Sequence, residues 1–398
     1  MSATSAGARV PVVGGPGAAA LRLMRSPALL RVVAVLAAVV IPGAVLLVAG
    51  DTLGYDFRAY HAAALRVLGG APAYDLSYVV AGPYGLFLYP PTFLPFVLPF
   101  ALLDVTAATW LWTALLAGAT VFGIARMPVR AQTRWLVLLL AAQSWPAVYA
   151  LKLGQVGGFL VLLFVEGWRA IEESHPGGDP GGDRVGGRVG KTGRGAVLGI
   201  TGALGAAIKL QPGLVLVWAL VTRRFTAVIA GAATLAVLAL LATLIGGPTV
   251  WTGFVTIITR VTDAVGTPHN FTPGAVALGL GATHDAATLV QTGSMALVLA
   301  VVGWSVLRLP ATPSYLVAVV ATQLLSPVLW DHYAIVLLVP VAWLLDRGWR
   351  WAVVVPLATS VFVIGLLPPI TYPAVFALTL VLLVAEGRRK SASALGRY

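Results

Sequence analysis

Residues 86–103, LFLYPPTFLPFVLPFALL, are apolar enough to enter a bilayer yet hold four prolines, Pro90, Pro91, Pro95 and Pro99. Proline lacks a backbone N–H and clashes with the preceding turn, so this density interrupts a helix repeatedly. Interrupted backbone at membrane depth persists only where protein buries it or where it lines a cavity. The segment is therefore expected to be re-entrant or to lie in the interface, without crossing.

The rest of the chain is membrane-like around it. Of 398 residues, 59% are hydrophobic with the 44 glycines uncounted, and 10% are charged. A soluble domain is about 25% charged, and the mean hydropathy here is +0.92. The run at 28–49 is long enough to span a bilayer, which takes about 20 apolar residues. With Arg22, Arg25 and Arg31 around its start, it reads as a signal anchor with the N-terminus inside. Further runs lie near 105–125, 135–151, 156–171, 195–222, 225–245, 285–307, 314–330, 332–345, 351–367 and 371–386.

Charge orients these runs. If 86–103 does not cross and 195–222 enters and returns at Lys209-Leu210-Gln211-Pro212, the arginine-rich loops all fall on one side. Of the 26 basic residues, 21 then face the cytoplasm, the exceptions being Arg58, Arg66, Lys152, Lys209 and Arg260. A crossing at 86–103 would reverse the next three loops against the positive-inside rule. The expected architecture is an all-α polytopic transmembrane helical bundle with about twelve crossings and a large first extracytoplasmic loop. Residues 1–27 form a disordered cytoplasmic tail, 28–387 the membrane domain, 172–194 a flexible cytoplasmic loop and 388–398 a second cytoplasmic tail. Localisation is the plasma membrane, with both termini cytoplasmic.

The net charge of +12 reflects those loops, not a nucleic-acid partner. With no cysteine, disulfides and thiol chemistry are excluded. Gly190-Lys191-Thr192 is not a phosphate-binding loop, because position 185 is Val and no strand precedes it.

Polar residues away from the basic loops collect on the outer side. Four of the five histidines and seven of the fourteen acids lie there, so function is expected to be extracytoplasmic. Asp56 opens an amphipathic stretch with Arg58, Tyr60 and His61; it suits a helix N-cap or a general base facing a cavity. Lys209, in an apolar run, costs about 2.5–3.5 kcal/mol at mid-membrane, so it either snorkels or meets an anion. Asp331-His332 is a solvated turn or an acid–histidine pair at a cavity mouth. Gln155, His269 and Asn270 join the same side. Tyr55, Tyr60, Tyr74, Tyr84 and Tyr89 crowd the outer loop, and an aromatic wall with interspersed acids suits a sugar. The scattered acids offer no metal-ligand spacing, and no metal or cofactor is assigned. From these residues alone a transferase stands beside a transporter or flippase of lipid-linked sugars and a non-catalytic assembly partner. The absence of an internal repeat and the one-sided polar residues weigh against the transporter.

Seven motifs in order carry a resemblance: Gly54-Tyr55-Asp56-Phe57-Arg58-Ala59-Tyr60; Gly69-Gly70 with Tyr74; Leu88-Tyr89-Pro90-Pro91; Gly154-Gln155; Ala206-Ala207-Ile208-Lys209-Leu210-Gln211-Pro212; His269-Asn270-Phe271; and Ser326-Pro327 with Trp330-Asp331-His332-Tyr333. The series is similar to glycosyltransferase family 87 (DUF2029), membrane mannosyltransferases of the GT-C class, over about residues 30–385. Members often carry Asn-Gln-Ser after the large outer loop and a second histidine after Asp-His; here Asn270 precedes Phe271 and His332 precedes Tyr333. The resemblance implies a GT-C-like fold, a polyprenyl-phosphate-sugar donor, usually mannose, and a lipid-linked or glycan acceptor outside the membrane. It places Asp56 at the family's catalytic base and Lys209 and His332 at cavity-lining positions. Arg58, Tyr60, His61, Tyr89, Gln155, His269, Asn270 and Asp331 are the further expected substrate-binding residues.

The basic-residue distribution makes a direct prediction. A reporter fused at Gly187 should behave as cytoplasmic and one at Gly266 as external; an external Gly187 would overturn the orientation.

Overall fold

In a computed structural model of the chain, residues 26–77, 84–173, 190–261 and 263–395 are described. The expected N-terminal tail and most of the 172–194 loop lie outside them. The described part of 388–398 continues a helix that runs to Leu395.

The described residues are helical, with an isolated bridge between Ser144 and Ser360. In chain order the helices are α1 (Pro27–Val48), α2 (Tyr55–Leu68), α3 (Val105–Arg126), α4 (Ala131–Gln143), α5 (Trp145–Leu153) and α6 (Gly157–Glu172). There follow α7 (Lys191–Ile208), α8 (Leu214–Val221), α9 (Phe225–Gly246), α10 (Thr249–Val261), α11 (Pro273–Gly279), α12 (His284–Arg308), α13 (Ala311–Leu324), α14 (Leu338–Asp346) and α15 (Thr371–Leu395). Shorter turns of helix fill residues 91–102, 331–337 and 350–366.

Among the described residues, five helices are long and apolar enough to cross a membrane: α1, α3, α9, α12 and the Thr371–Arg389 part of α15. The other expected crossings fall on shorter or interrupted helices, so helix length supports five of the twelve. The long helices turn bare apolar side chains outward, such as Leu36, Val39, Phe122, Ile229, Leu244, Leu289 and Leu297. Inside them stands α13, buried at every position from Thr312 to Gln323, beside α14, buried from Leu338 to Leu344. A helix that is apolar all round belongs in such an interior.

Lipid tails are as apolar as leucine, so close packing must hold the helices together. The α7–α9 pair shows how. A Cβ on Gly199 would stand 2.0 Å from the Ala227 carbonyl oxygen, and the Gly199 carbonyl lies 3.1 Å from where a Cβ on Gly231 would be. Only hydrogen in place of a side chain lets the two backbones approach this far.

The proline-rich segment is an interrupted helix, as its prolines require. Pro91–Phe93 and Leu98–Leu102 are 3₁₀ turns around the short helix Leu94–Val97. Both of its flanks meet the same helix, α2: Tyr89 is bonded by Tyr60, and the Leu103 carbonyl lies 3.1 Å from His61 Nε2.

The two ends of the bundle differ in their charges. At one end Arg126 forks onto Glu166 at 2.7 and 2.9 Å, Arg130 and Thr133 hold Asp346, and Thr312 bonds Glu172. At the other end stand Asp56, Gln155, Lys209, Asp331 and His332, with far fewer charge pairs.

Gly199→Val should force α7 and α9 apart and destabilise the protein by about 3 kcal/mol or more, the upper range for overpacking. Gly303, which has open space around it, is the control. Thermal unfolding in detergent should drop sharply for Gly199→Val and little for Gly303→Val; equal effects would refute the close approach.

Candidate active site

Helix α2 starts after Gly54, whose left-handed backbone (φ 70°) forms the N-cap without any side-chain bond. Asp56 is therefore not the cap. It is the second helical residue, and its Oδ2 accepts from Gln155 Nε2 at 2.7 Å. Gln155 reaches it because the α5–α6 turn passes tightly over α2. Gly154 there has φ 72°, and a Cβ on it would lie 2.6 Å from Phe57 Cβ. Any other residue would push the turn away.

The Gln155 amide is oriented from behind. Tyr60 Oη donates to Tyr89 Oη at 2.6 Å, and Tyr89 Oη donates to Gln155 Oε1 at 2.7 Å. With its oxygen occupied, Gln155 must present its NH₂ to Asp56. The series Tyr60, Tyr89, Gln155, Asp56 thus fixes one carboxylate oxygen, while Oδ1 has no donor among the described residues. Burial raises the Asp56 carboxyl above the ordinary carboxylate range. Charge on His332, the Gln155 bond and charge on Lys209 pull it part of the way back, and Asp331 pushes it up again.

Lys209 ends α7 in extended backbone. Its side chain does not snorkel outward. Nζ stands 3.7 Å from the centre of the Tyr333 ring and 5.7 Å from that of Tyr89. The ring face attracts a cation, but Lys209 forms no ion pair among the described residues. It lines a cavity of about 250 Å³ with Tyr89, Tyr333 and Trp330, flanked on its apolar side by Phe254 and Ile258. A cation held by aromatic faces, without a carboxylate, is free to meet an anionic ligand.

Asp331 and His332 do not form a solvated turn. His332 is 4% exposed, stacked on Trp330 with ring centres 5.8 Å apart. Neither ring nitrogen has a hydrogen-bond partner among the described residues, and the nearest carboxylate oxygen, Asp331 Oδ1, lies 3.6 Å from Nδ1. Such a buried polar group is costly to leave unmet. Asp331 is fully engaged instead: Oδ2 accepts from Trp145 Nε1 at 2.8 Å and Oδ1 from the His332 amide at 2.8 Å.

Three further expected residues have local partners instead. Arg58 donates to the Leu53 carbonyl at 3.2 Å, and His61 faces Leu103. Asn270 is a brace: Nδ2 donates to the Ala264 carbonyl, while Oδ1 accepts from Thr272 and Leu329 amides. It thereby holds the 263–272 loop against the stretch of chain leading to Asp331. His269 is exposed, in left-handed backbone with φ 55°. Sequence reasoning missed Tyr333 as the seat of Lys209 and Trp145 as the partner of Asp331. The adjacency of Tyr333 to His332 was a usable signal; Trp145, inside an apolar run 186 residues from Asp331, gave none. Among the described residues no three His, Asp or Glu side chains cluster to hold a metal ion.

An all-helical membrane bundle in which Asp56 feels the charges of Lys209, Asp331 and His332, with Lys209 lining a cavity beside them, defines a polytopic membrane protein with a polar site at one end. The model of glycosyltransferase family 87 matches residues 87–330, and the chain belongs to that family. It is a glycosyltransferase. The match includes Tyr89, Gln155 and Lys209; Asp56 precedes it, and Asp331 and His332 directly follow it. The chain is also similar to a polyprenol-phosphate-mannose-dependent alpha-(1-2)-phosphatidylinositol mannoside mannosyltransferase of Mycobacterium tuberculosis, 28% identical over 348 residues that cover 76% of each chain. No solved structure matches the chain.

If Asp56 must be ionised for sugar transfer, kcat/KM falls as pH drops through its pKa in the free enzyme. Because burial raises that pKa, the acid limb should lie above the ordinary carboxylate range. Gln155→Leu removes a bond that favours the ionised form, so the limb should move to still higher pH. An unmoved limb would mean that another group controls it.

Proposed function

We propose that the protein is an inverting membrane mannosyltransferase. It takes mannose from a polyprenyl-phosphate-mannose donor and passes it to a lipid-linked or glycan acceptor at the extracytoplasmic face. The observation that carries this reading is the Asp56 carboxylate, fixed by Gln155 through one oxygen and open at the other. The family membership and the donor named for the mycobacterial relative support the substrate class.

The cavity chemistry suits such a donor. Its apolar flank, with Phe254, Ile258 and Leu210, can take the first prenyl units, while Lys209 faces the phosphate. The sugar then lies toward Asp56 and the aromatic wall of Tyr60, Tyr89 and Tyr333. Asp56 Oδ1 accepts the proton of the acceptor hydroxyl as that oxygen bonds to the anomeric carbon. The bond from the anomeric carbon to the phosphate oxygen breaks in the same displacement, and its electron pair leaves with the polyprenyl phosphate. Lys209, with the unbonded nitrogens of His332 nearby, stabilises the charge that develops there; in a poorly hydrated site this is worth far more than in water. Attack from the opposite face inverts the configuration, so a β-linked donor gives an α-linked product.

Transfer of radiolabel from polyprenyl-phosphate-mannose into lipid or glycan, in membranes carrying the protein, tests the reading. Wild type should label product. Asp56→Asn can still accept from Gln155 but cannot take a proton, so turnover should fall by about 10²-fold or more with donor binding largely kept. Turnover within a few-fold of wild type would end the assignment of the base. Lys209→Met should raise the donor KM or lower turnover by about tenfold or more, as expected for a lost charge-assisted contact; unchanged kinetics would remove Lys209 from the leaving group.

A further inference from the structure

At the end of the bundle opposite the candidate active site, a second cavity of about 350 Å³ opens between α7 and α9. Three arginines line it: Arg194 from the first turn of α7, and Arg223 and Arg224 from the turn between α8 and α9. Elsewhere at this end some arginines have acidic partners, as in the Arg126–Glu166 and Arg130–Asp346 pairs. Among the described residues only Arg194 of these three has an acidic partner, Glu173 at 3.9 Å, which Arg169 also pairs with. Arg223 and Arg224 form no ion pair among the described residues.

Arg223 is exposed and Arg224 is partly covered. The Arg224 guanidinium is half-buried, 5.1 Å from the Trp218 ring. Arg223 is held in left-handed backbone, φ 57°, a conformation that a bulky side chain adopts at a cost. Arg194 Nε is buried without a hydrogen-bond partner. Three cations around one cavity repel one another, and an anion placed among them relieves that repulsion.

The backbone adds to the demand. Helices α7 and α9 both begin at this end, and α9 has no side-chain cap. The first amides of α9, at Phe225 and Thr226, have no intrahelical acceptor, and the positive ends of two helix dipoles converge on the cavity. Below it the glycine contact between Gly199 and Ala227 seals the helix pair. Beside it the surface is apolar: Phe225 is 59% and Ile229 70% exposed, with Val197, Ile200 and Val221 also bare. A forked, multi-donor cationic cup next to a lipid-facing flank matches a phosphodiester with acyl chains attached.

We propose that this cavity binds the phosphate of an anionic phospholipid in the leaflet opposite the active site. The lipid's phosphate bridges Arg194, Arg223 and Arg224, and its chains lie along Phe225 and Ile229. The site is separate from the glycosyl-transfer site and does not depend on the mechanism assigned to Asp56.

The test uses the purified full chain in neutral detergent, with phosphatidylglycerol, phosphatidylcholine and inorganic phosphate as probes in native mass spectrometry. Wild type should retain phosphatidylglycerol over phosphatidylcholine. Arg223→Gln with Arg224→Gln should lose that retention by at least about tenfold, the scale of one charge-assisted contact. Arg350→Gln, an exposed arginine at the same end, should retain lipid like wild type. Sugar transfer by the double variant, assayed in the same detergent, reports whether it is folded. If it is not, Arg223→Lys with Arg224→Lys keeps the charge but loses the fork, and should show a smaller, definite loss. Wild-type retention in a folded variant would overturn the proposal. So would binding of inorganic phosphate without retention of phosphatidylglycerol, which would make the ligand a free anion.

Discussion

The side-chain amide of Gln155 is the joint on which the site depends. A primary amide has one accepting and one donating end, and both are used: the oxygen by Tyr89, the nitrogen by Asp56. Because Tyr89 is itself bonded by Tyr60, one polar chain ties helix α2, the proline-rich segment and the α5–α6 turn. Inside a bundle of low dielectric such a chain is strong when complete and costly when broken. The backbone reinforces it, since the Gly54 amide donates to the Lys152 carbonyl at 2.7 Å. The position of Asp56 is therefore set by three segments together and not by α2 alone.

Aromatic packing supplies the walls of that joint. Phe57, Tyr60, Phe93 and Trp112 meet within 5.1–6.3 Å, mostly edge to face. Trp112 also donates to the Gly154 carbonyl at 2.8 Å, so the hydrophobic cluster is hydrogen-bonded to the turn that carries Gln155. Here the broken backbone around Pro90 and Pro91 is an asset. An unbroken helix could not bring Phe87, Tyr89 and Phe93 around α2 while leaving room for a cavity beside Lys209.

Charge is used differently at the two ends of the molecule. Arg126, Glu166, Arg130 and Asp346 are paired, which lets loops pack without leaving a buried charge exposed to apolar surroundings. Lys209 and His332 stand without such partners, which lowers stability and leaves their capacity for a ligand. The arginines between α7 and α9 share that unmet character at the opposite end. Unpaired polar groups next to well-paired ones are what separate binding surfaces from scaffold in this protein.

The sequence by itself determined the helical membrane class, because long apolar runs have no other stable fate in a bilayer. It also determined that residues 86–103 are interrupted, since proline removes backbone donors wherever it sits, and it marked Asp56, Lys209 and the Asp331-His332 pair as polar groups too costly to be incidental. It could not set the number of helices long enough to span, because local breaks at Ser144, Lys209 and residues 331–337 come from packing against neighbours. Nor could it sort the outer polar residues. Asn270 and His61 look like ligand-binding groups in one dimension and are braces in three, while Trp145 and Tyr333 look like core and are found at the site. Hydropathy and periodicity report the environment that a side chain prefers, not the partner that it meets. The contacts that build the site join residues 66, 99 and 186 positions apart, and only the packed bundle brings such distant positions together.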